Sequence, residues 1–500
     1  KVVYRRHTNF SMEAIQQTVN GSSTLSSSNT TGTVTVSRNG DLVGRMYVRV
    51  DANDGTDCIS GDQLIKDVTL EIGGQQIDKH TREWLQVWAE LSTPESKAAG
   101  YKYLTGSFSN TLMVGGTTGG HTQQSVMVPL QFYFCRNPGL ALPLIALQYH
   151  EVKVKFTWGT QTEASRDGSS GTAATCEVWA DYIYLDTEER RRFAQVSHEY
   201  LIEQLQYQEE AASAAQKIKL NFNHPVKELV WTNTAGEFTT QRTKLTLNGH
   251  DRFSEQDREY FQLRQALDHH TAVPGYNVKE TERPQLLTSP VTLSGLNFQA
   301  LSGNNTTDLD SALDADDDIC QGAMTLTTNA AKVNEAATSA LTIRQATATS
   351  FNVGDVISLS HLAEKTDANH ARNTDLYTVQ SILVNTAETS GKTYTSLTLD
   401  RALNLPEAIT NDDDAELRIV ARLQDPQSRC SQLAREINVY SFALKPEEHQ
   451  PSGTCNFSRI DTAHLQFSAA SGNSGAINVY AVNYNVLRVM SGMGGLAYSN

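Results

Sequence analysis

The 500-residue chain has only six cysteines and twelve prolines. Cys58, Cys135, Cys176, Cys320, Cys430 and Cys455 form no CxxC pair, which excludes a disulfide scaffold or a zinc ribbon and fits a reducing compartment. Long apolar runs are missing as well. The longest uncharged one, Gly139–Leu147, contains Pro143 and falls far short of the about 20 residues a bilayer-spanning helix needs. Positive charge is scarce: 41 Lys and Arg stand against 56 Asp and Glu, for a net charge of −15. Such a balance argues against direct electrostatic binding of nucleic acid and against coating an anionic membrane. The chain opens on Lys1-Val2-Val3-Tyr4 with neither an initiator Met nor a basic-then-apolar leader, so it is expected to begin inside a longer gene product.

Short stretches of alternating residues dominate what is present. Val68–Ile72, Glu151–Phe156 and Lys217–Phe222 read as half-buried strands punctuated by Gly, Asn, Ser and Asp. Helical periodicity is brief. Trp84, Val87, Trp88 and Leu91 recur at i, i+3, i+4 and i+7, and a second candidate begins near Ser254 with Tyr260, Phe261, Leu263 and Leu267. Long helices alternating with strands are lacking, which argues against a parallel α/β enzyme.

The chain also resembles itself. Arg82-Glu83-Trp84-Leu85-Gln86-Val87 through Leu91 is matched by Arg258-Glu259-Tyr260-Phe261-Gln262-Leu263 through Leu267. Phe134, Pro138 and Pro143 match Phe442, Pro446 and Pro451, and Val178-Trp179-Ala180 matches Val479-Tyr480-Ala481. The three pairs fall in the same order, which points to two related units. The offset rises between the first and second pairs, so the second unit carries a long insertion. Well over half of the net charge falls in 277–436, which holds only four aromatics, Phe298, Phe351, Tyr377 and Tyr394. So few large side chains bury little area and predict a thin core. Three parts are expected: a first unit over 1–205, a second over 206–268 plus 437–500, and an acidic, exposed insert over 277–436. A small β-barrel or sandwich is expected at about 345–425, and 302–318 reads as a polar loop. Units of this size with short strands suit tandem eight-stranded antiparallel jelly rolls, so the fold class is mainly β.

No motif assembles a nucleophile, a base and an oxyanion donor, so no enzyme and no cofactor are expected. His150-Glu151 and His198-Glu199 begin like HExxH, but Val154 and Ile202 stand where the second histidine is needed. Gly391-Lys392-Thr393 lacks the upstream glycine of a P-loop, and Gly472–Gly475 lacks the spacing of a nucleophile elbow. The aspartates 308, 310, 314 and 316–318, like Asp412–Asp414, offer oxygen ligands for calcium without the glycine and final glutamate of an EF-hand loop. A solvated acidic loop is the favoured reading. Arg190-Arg191-Arg192, flanked by acids, reads as a salt-bridged helical linker rather than a nucleic-acid contact. His269-His270 is a weak metal or pH-switch signal. Sequons stand at Asn9, Asn20, Asn29, Asn304, Asn305 and Asn456, with Asn304 and Asn305 the candidates for glycosylation.

Several stretches resemble one family. Pro138–Val152 (PGLALPLIALQYHEV), Ile72–His80, Asn223–Leu229, Gln450–Asp461 and the tail Asn483–Tyr498 are similar to signatures of major capsid proteins of large icosahedral double-stranded DNA viruses, with the algal-virus branch nearest. The resemblance covers about 1–268 and 437–500 and fails over the insert. It implies a double jelly roll that forms homotrimers, whose six jelly rolls make a near-hexagonal capsomer tiling the virion shell. It further implies contacts with neighbouring capsomers and minor capsid proteins, and assembly in the infected host cytoplasm. A short arm ahead of Lys1 would lie near an internal membrane. The insert would form an outward tower. A jelly-roll glycan-binding or attachment protein is the alternative, and a β-sandwich glycosidase a third reading with no carboxylate pair to nominate.

Overall fold

The alternating stretches become antiparallel sheet in the computed structural model. It describes residues 9–51, 59–107, 125–165, 174–211, 217–235, 242–278, 284–301, 322–327, 340–345, 351, 354–361, 376–386, 393–401, 414–423, 430–468 and 475–498.

Two pairs of sheets build one compact unit. In the first pair, one sheet runs in the order Phe10–Gln17, Cys176–Leu185, Leu42–Asp51, Ser125–Pro129. Its partner runs Val19–Gly21, Thr31–Thr35, Val152–Trp158, Ile65–Ile72, Gln75–Thr81. Inward-facing residues such as Val34, Val48, Val154, Phe156 and Val178 interleave to form a continuous core. The second pair repeats the plan. One sheet is His198–Glu210, Ile477–Met490, Pro225–Asn233, Asn438–Ser441, and the other is Lys217–Lys219, Ala463–Phe467, Thr243–Leu247, His250–Asp251. Leu229, Trp231, Leu245, Leu465 and Val479 fill it. The chain is therefore a double jelly roll, and each self-matching motif lies at the same place in its own half.

Residue 205, the expected boundary, falls inside His198–Glu210. That strand pairs along its whole length with Glu210↔Ile477 through His198↔Val489, so sheet pairing puts all of it with the second half. The helix Thr187–Gln195, the linker read from Arg190–Arg192, therefore precedes the second half's first strand.

Residues 280–425 lie in a second compact unit. Seven strands close a barrel in the order Pro284–Leu301, Gly322–Thr327, Ala340–Gln345, Thr393–Leu399, Leu376–Thr386, Val356–His361, Asp414–Leu423. The barrel thus begins about 60 residues before the 345 expected from alternation. The first strand hides its period because its register slips between Leu286 and Val291 and again between Leu293 and Leu296. One of its pairings, Leu296–Leu301 with Gly322–Thr327, is parallel. Among the barrel residues whose burial is described, Ile357, Tyr377, Val379, Leu397, Leu399 and Ile419 are buried.

The first predicted helix forms over Arg82–Ser92. The second differs: Tyr260–Arg264 is a π-helical turn running into an α-helical Gln265–His269. Phe261 is buried in the second jelly roll's core and Ala266 in the cluster with Trp84 and Val87, while Leu263 and Leu267 face solvent.

Candidate functional site: the seam between the jelly rolls

The Arg82–Ser92 helix starts where Thr81 caps it, its side chain accepting from the Trp84 amide at 3.3 Å, and it stops before Pro94. Leu85 packs into the first jelly roll's core. Trp84, Val87, Trp88 and Leu91 form the opposite stripe and pack on Val230, Val439, Tyr480 and Val482, from the outer sheet face of the second jelly roll. Trp84 lies 5.2 Å from the Tyr480 ring and 5.9 Å from Trp88. Truncating one such tryptophan costs about 3–5 kcal/mol. The stripe is thus the hydrophobic joint of the two halves.

Two carboxylates seven residues apart, hence on one face of this helix, hold segment 430–437 over the joint. Glu90 is almost wholly buried. It accepts from the Cys430 amide at 3.1 Å and from the Ser431 amide and hydroxyl, both at 2.7 Å. Glu83 takes the Asn478 amide at 2.7 Å and also binds the Thr232 hydroxyl and the Arg435 guanidinium. Asp62 accepts from the Gln432 amide at 2.8 Å. Burial, with Glu90 adding, pushes the Cys430 thiol up, and burial with Glu83 adding keeps the Tyr480 hydroxyl well above its ordinary range. Both stay neutral beside their carboxylates.

A buried ion cluster makes a second joint. Glu203, on the His198–Glu210 strand, receives Lys227 Nζ at 2.5 Å and Arg136 Nη1 at 3.0 Å. Arg136 lies 4.2 Å over the Trp88 ring and Lys227 4.9 Å over Tyr484. Nearby, Asp78 accepts the Leu205 amide at 3.0 Å and lies 2.8 Å from His80 Nε2. Farther along, Ile202, Leu487 and Val489 from the second half enter the first half's core. His150 Nδ1 lies 2.9 Å from the Gly494 carbonyl.

The histidine pair separates in role. His270 is buried, with Nε2 2.8 Å from Glu228 and Nδ1 2.8 Å from Glu447. It clips the loop holding Glu447 to strand Pro225–Asn233. Burial alone would depress its pKa, but the charges and hydrogen bonds of the two glutamates push it up to about 9. His269 only reaches the Leu444 carbonyl at 3.1 Å.

The remaining candidates disperse. His198 bonds the Phe193 carbonyl at 2.9 Å. Arg190 pairs with Asp41 at 2.9 Å on a solvated helix, Thr187–Gln195, capped by Asp186, as a linker should. Among the described residues, no group of three or more His, Cys, Asp and Glu is placed to hold a metal. Asn304, Asn305, Asp308–Asp318, Lys392, Asp412, Asp413 and Gly472–Ser474 lie outside the described residues. Sequence reasoning found the tryptophan stripe but missed Glu83, Glu90 and Glu203. The first two did carry a signal, as acids bordering an apolar stripe.

Two outcomes follow from this geometry. Glu90→Ala leaves two buried amides without an acceptor and is expected to lower stability by about 2–4 kcal/mol in urea unfolding. Lys97→Ala, on an exposed surface, should stay within about 0.5 kcal/mol. For His270 the folded-state pKa lies above the unfolded 6.5. Its stabilisation is therefore complete below about 6.5 and is lost as the pH rises through about 9. Melting temperature should fall over that window in the parent chain, and His270→Gln should flatten the fall; an unchanged slope would refute the clip.

Residues 1–186 match the family described as "Major capsid protein N-terminus". Residues 189–240 and 426–495 match "Large eukaryotic DNA virus major capsid protein". The major capsid protein of Pyramimonas orientalis virus is 39% identical across the whole chain and 93% of its own length. That of Paramecium bursaria Chlorella virus 1 is 34% identical across the whole chain and 94% of its length. Among solved structures, "PBCV-1 virus capsid, quasi-atomic model" superposes with a TM-score of 0.60 at 29% identity, covering 100% of this chain and 99% of that one. A double jelly roll closed along a dry, clasped seam, with these relatives over its full length, belongs to the major capsid proteins of large eukaryotic DNA viruses, structural proteins of the virion capsid.

Proposed function

We propose that the chain works as a homotrimer, a near-hexagonal capsomer of six jelly rolls that tiles an icosahedral shell. The observation that carries this is the seam: two like barrels are locked into one body, so three copies supply six similar units and a threefold object can occupy a sixfold lattice position. Contacts with neighbouring capsomers and minor capsid proteins, and assembly in the infected host cytoplasm, belong to the same reading. The purified chain should sediment at three times 55.0 kDa. A strict monomer under all salt and concentration conditions would sink it.

The acidic 277–436 insert is assigned to the outer surface as an exposed tower. Its scarcity of aromatics and high negative charge suit a solvated module better than a packed interface. Protease treatment of assembled particles is expected to cut within 277–436 while sparing both jelly rolls. Equal protection of all three parts would count against the tower.

A further inference from the structure

The intramolecular seam has an uncovered counterpart on each jelly roll. In the second jelly roll, Phe261 fills the place of Leu85 in its own core, and Gln262, like Gln86, is buried. The outward positions diverge. Val87 and Leu91 are wholly buried in the seam, whereas their matches Leu263 and Leu267 are 37% and 72% exposed. The receiving face shows the converse. Tyr480 and Val230 are register partners covered by Trp84. Their matches in the first jelly roll, Trp179 and Tyr47, are also register partners, and their rings stack 6.5 Å apart on a half-exposed surface. Beside them the edge strand Phe10–Gln17 exposes residues 10–14 on both faces.

We propose that the Leu263–Leu267 face of one copy docks on the Tyr47–Trp179 face of the next copy's first jelly roll, repeating between chains the joint that Arg82–Ser92 makes within one. The proposal rests on the trimer reading and names the surfaces that make it. Charge supports the pairing. Glu83 reaches across to Thr232 and Asn478, which are register partners. The matching partners are Arg49 and Glu177, and the residue at the place of Glu83 is Glu259, whose side chain is 59% exposed. In the docked pair Glu259, which pairs with its own Arg258 at 3.1 Å, would reach Arg49, which lies 3.9 Å from Glu177. Two different patches of the same chain meet, so the contact is head-to-tail, and it closes once inner and outer seams alternate around a ring. The outer seam is the less apolar one, with Tyr260 and Arg264 in place of Trp84 and Trp88, which suits a joint between separately folded chains.

Sedimentation equilibrium of the full chain tests this with Leu267→Asp, Glu259→Arg, Arg49→Glu and the double variant Glu259→Arg/Arg49→Glu. Each single change should raise the trimer dissociation constant at least tenfold with circular dichroism unchanged. The double variant should recover most of the loss, which a merely misfolded chain would not do. Folded single variants that trimerise like the parent would overturn the proposed surfaces while leaving the trimer intact. A parent chain that never trimerises would instead overturn the reading beneath them.

Discussion

The apolar stripe of Arg82–Ser92 is the contact on which the remaining architecture depends. A jelly roll closes its own core with one face of each sheet, and its outer faces ordinarily meet water. Here one outer face, carrying Val230, Tyr480 and Val482, is as dry as an interior because Trp84, Trp88 and Leu91 cover it. The two barrels consequently behave as a single body with a defined relative orientation.

Polar groups around the stripe set which orientation is chosen. Apolar packing alone tolerates sliding. Glu90 takes three donors from adjacent backbone and side-chain groups, and Glu203 holds two cations, so small displacements would strand buried charge. Such groups contribute less to net stability than their number suggests; their value is in excluding alternatives. The His270 clip extends the same logic to the loop that carries Glu447.

Much of this was legible in the sequence. Alternation identified the β class, the repeated motifs identified two halves, and the i, i+3, i+4, i+7 stripe identified the joint's helix. Three things were hidden for physical reasons. The π turn over Tyr260–Arg264 has no local composition signal. The early barrel strand has bulges that break its period. The partners of Glu90 lie some 340 residues away in the chain, and only the fold brings Cys430 and Ser431 to it.

Strand His198–Glu210 lies between the barrels, and its pairing has a bearing on the order of events during synthesis. Its partner is Ile477–Met490, and Leu487 and Val489 of that partner also sit in the first barrel's core. The amino-terminal half therefore cannot finish its interior until Leu487 and Val489 have left the ribosome. Domains usually fold as they emerge, but contacts this distant in sequence delay completion. A product stalled before Leu487 would leave the first barrel's core without the side chains of Leu487 and Val489.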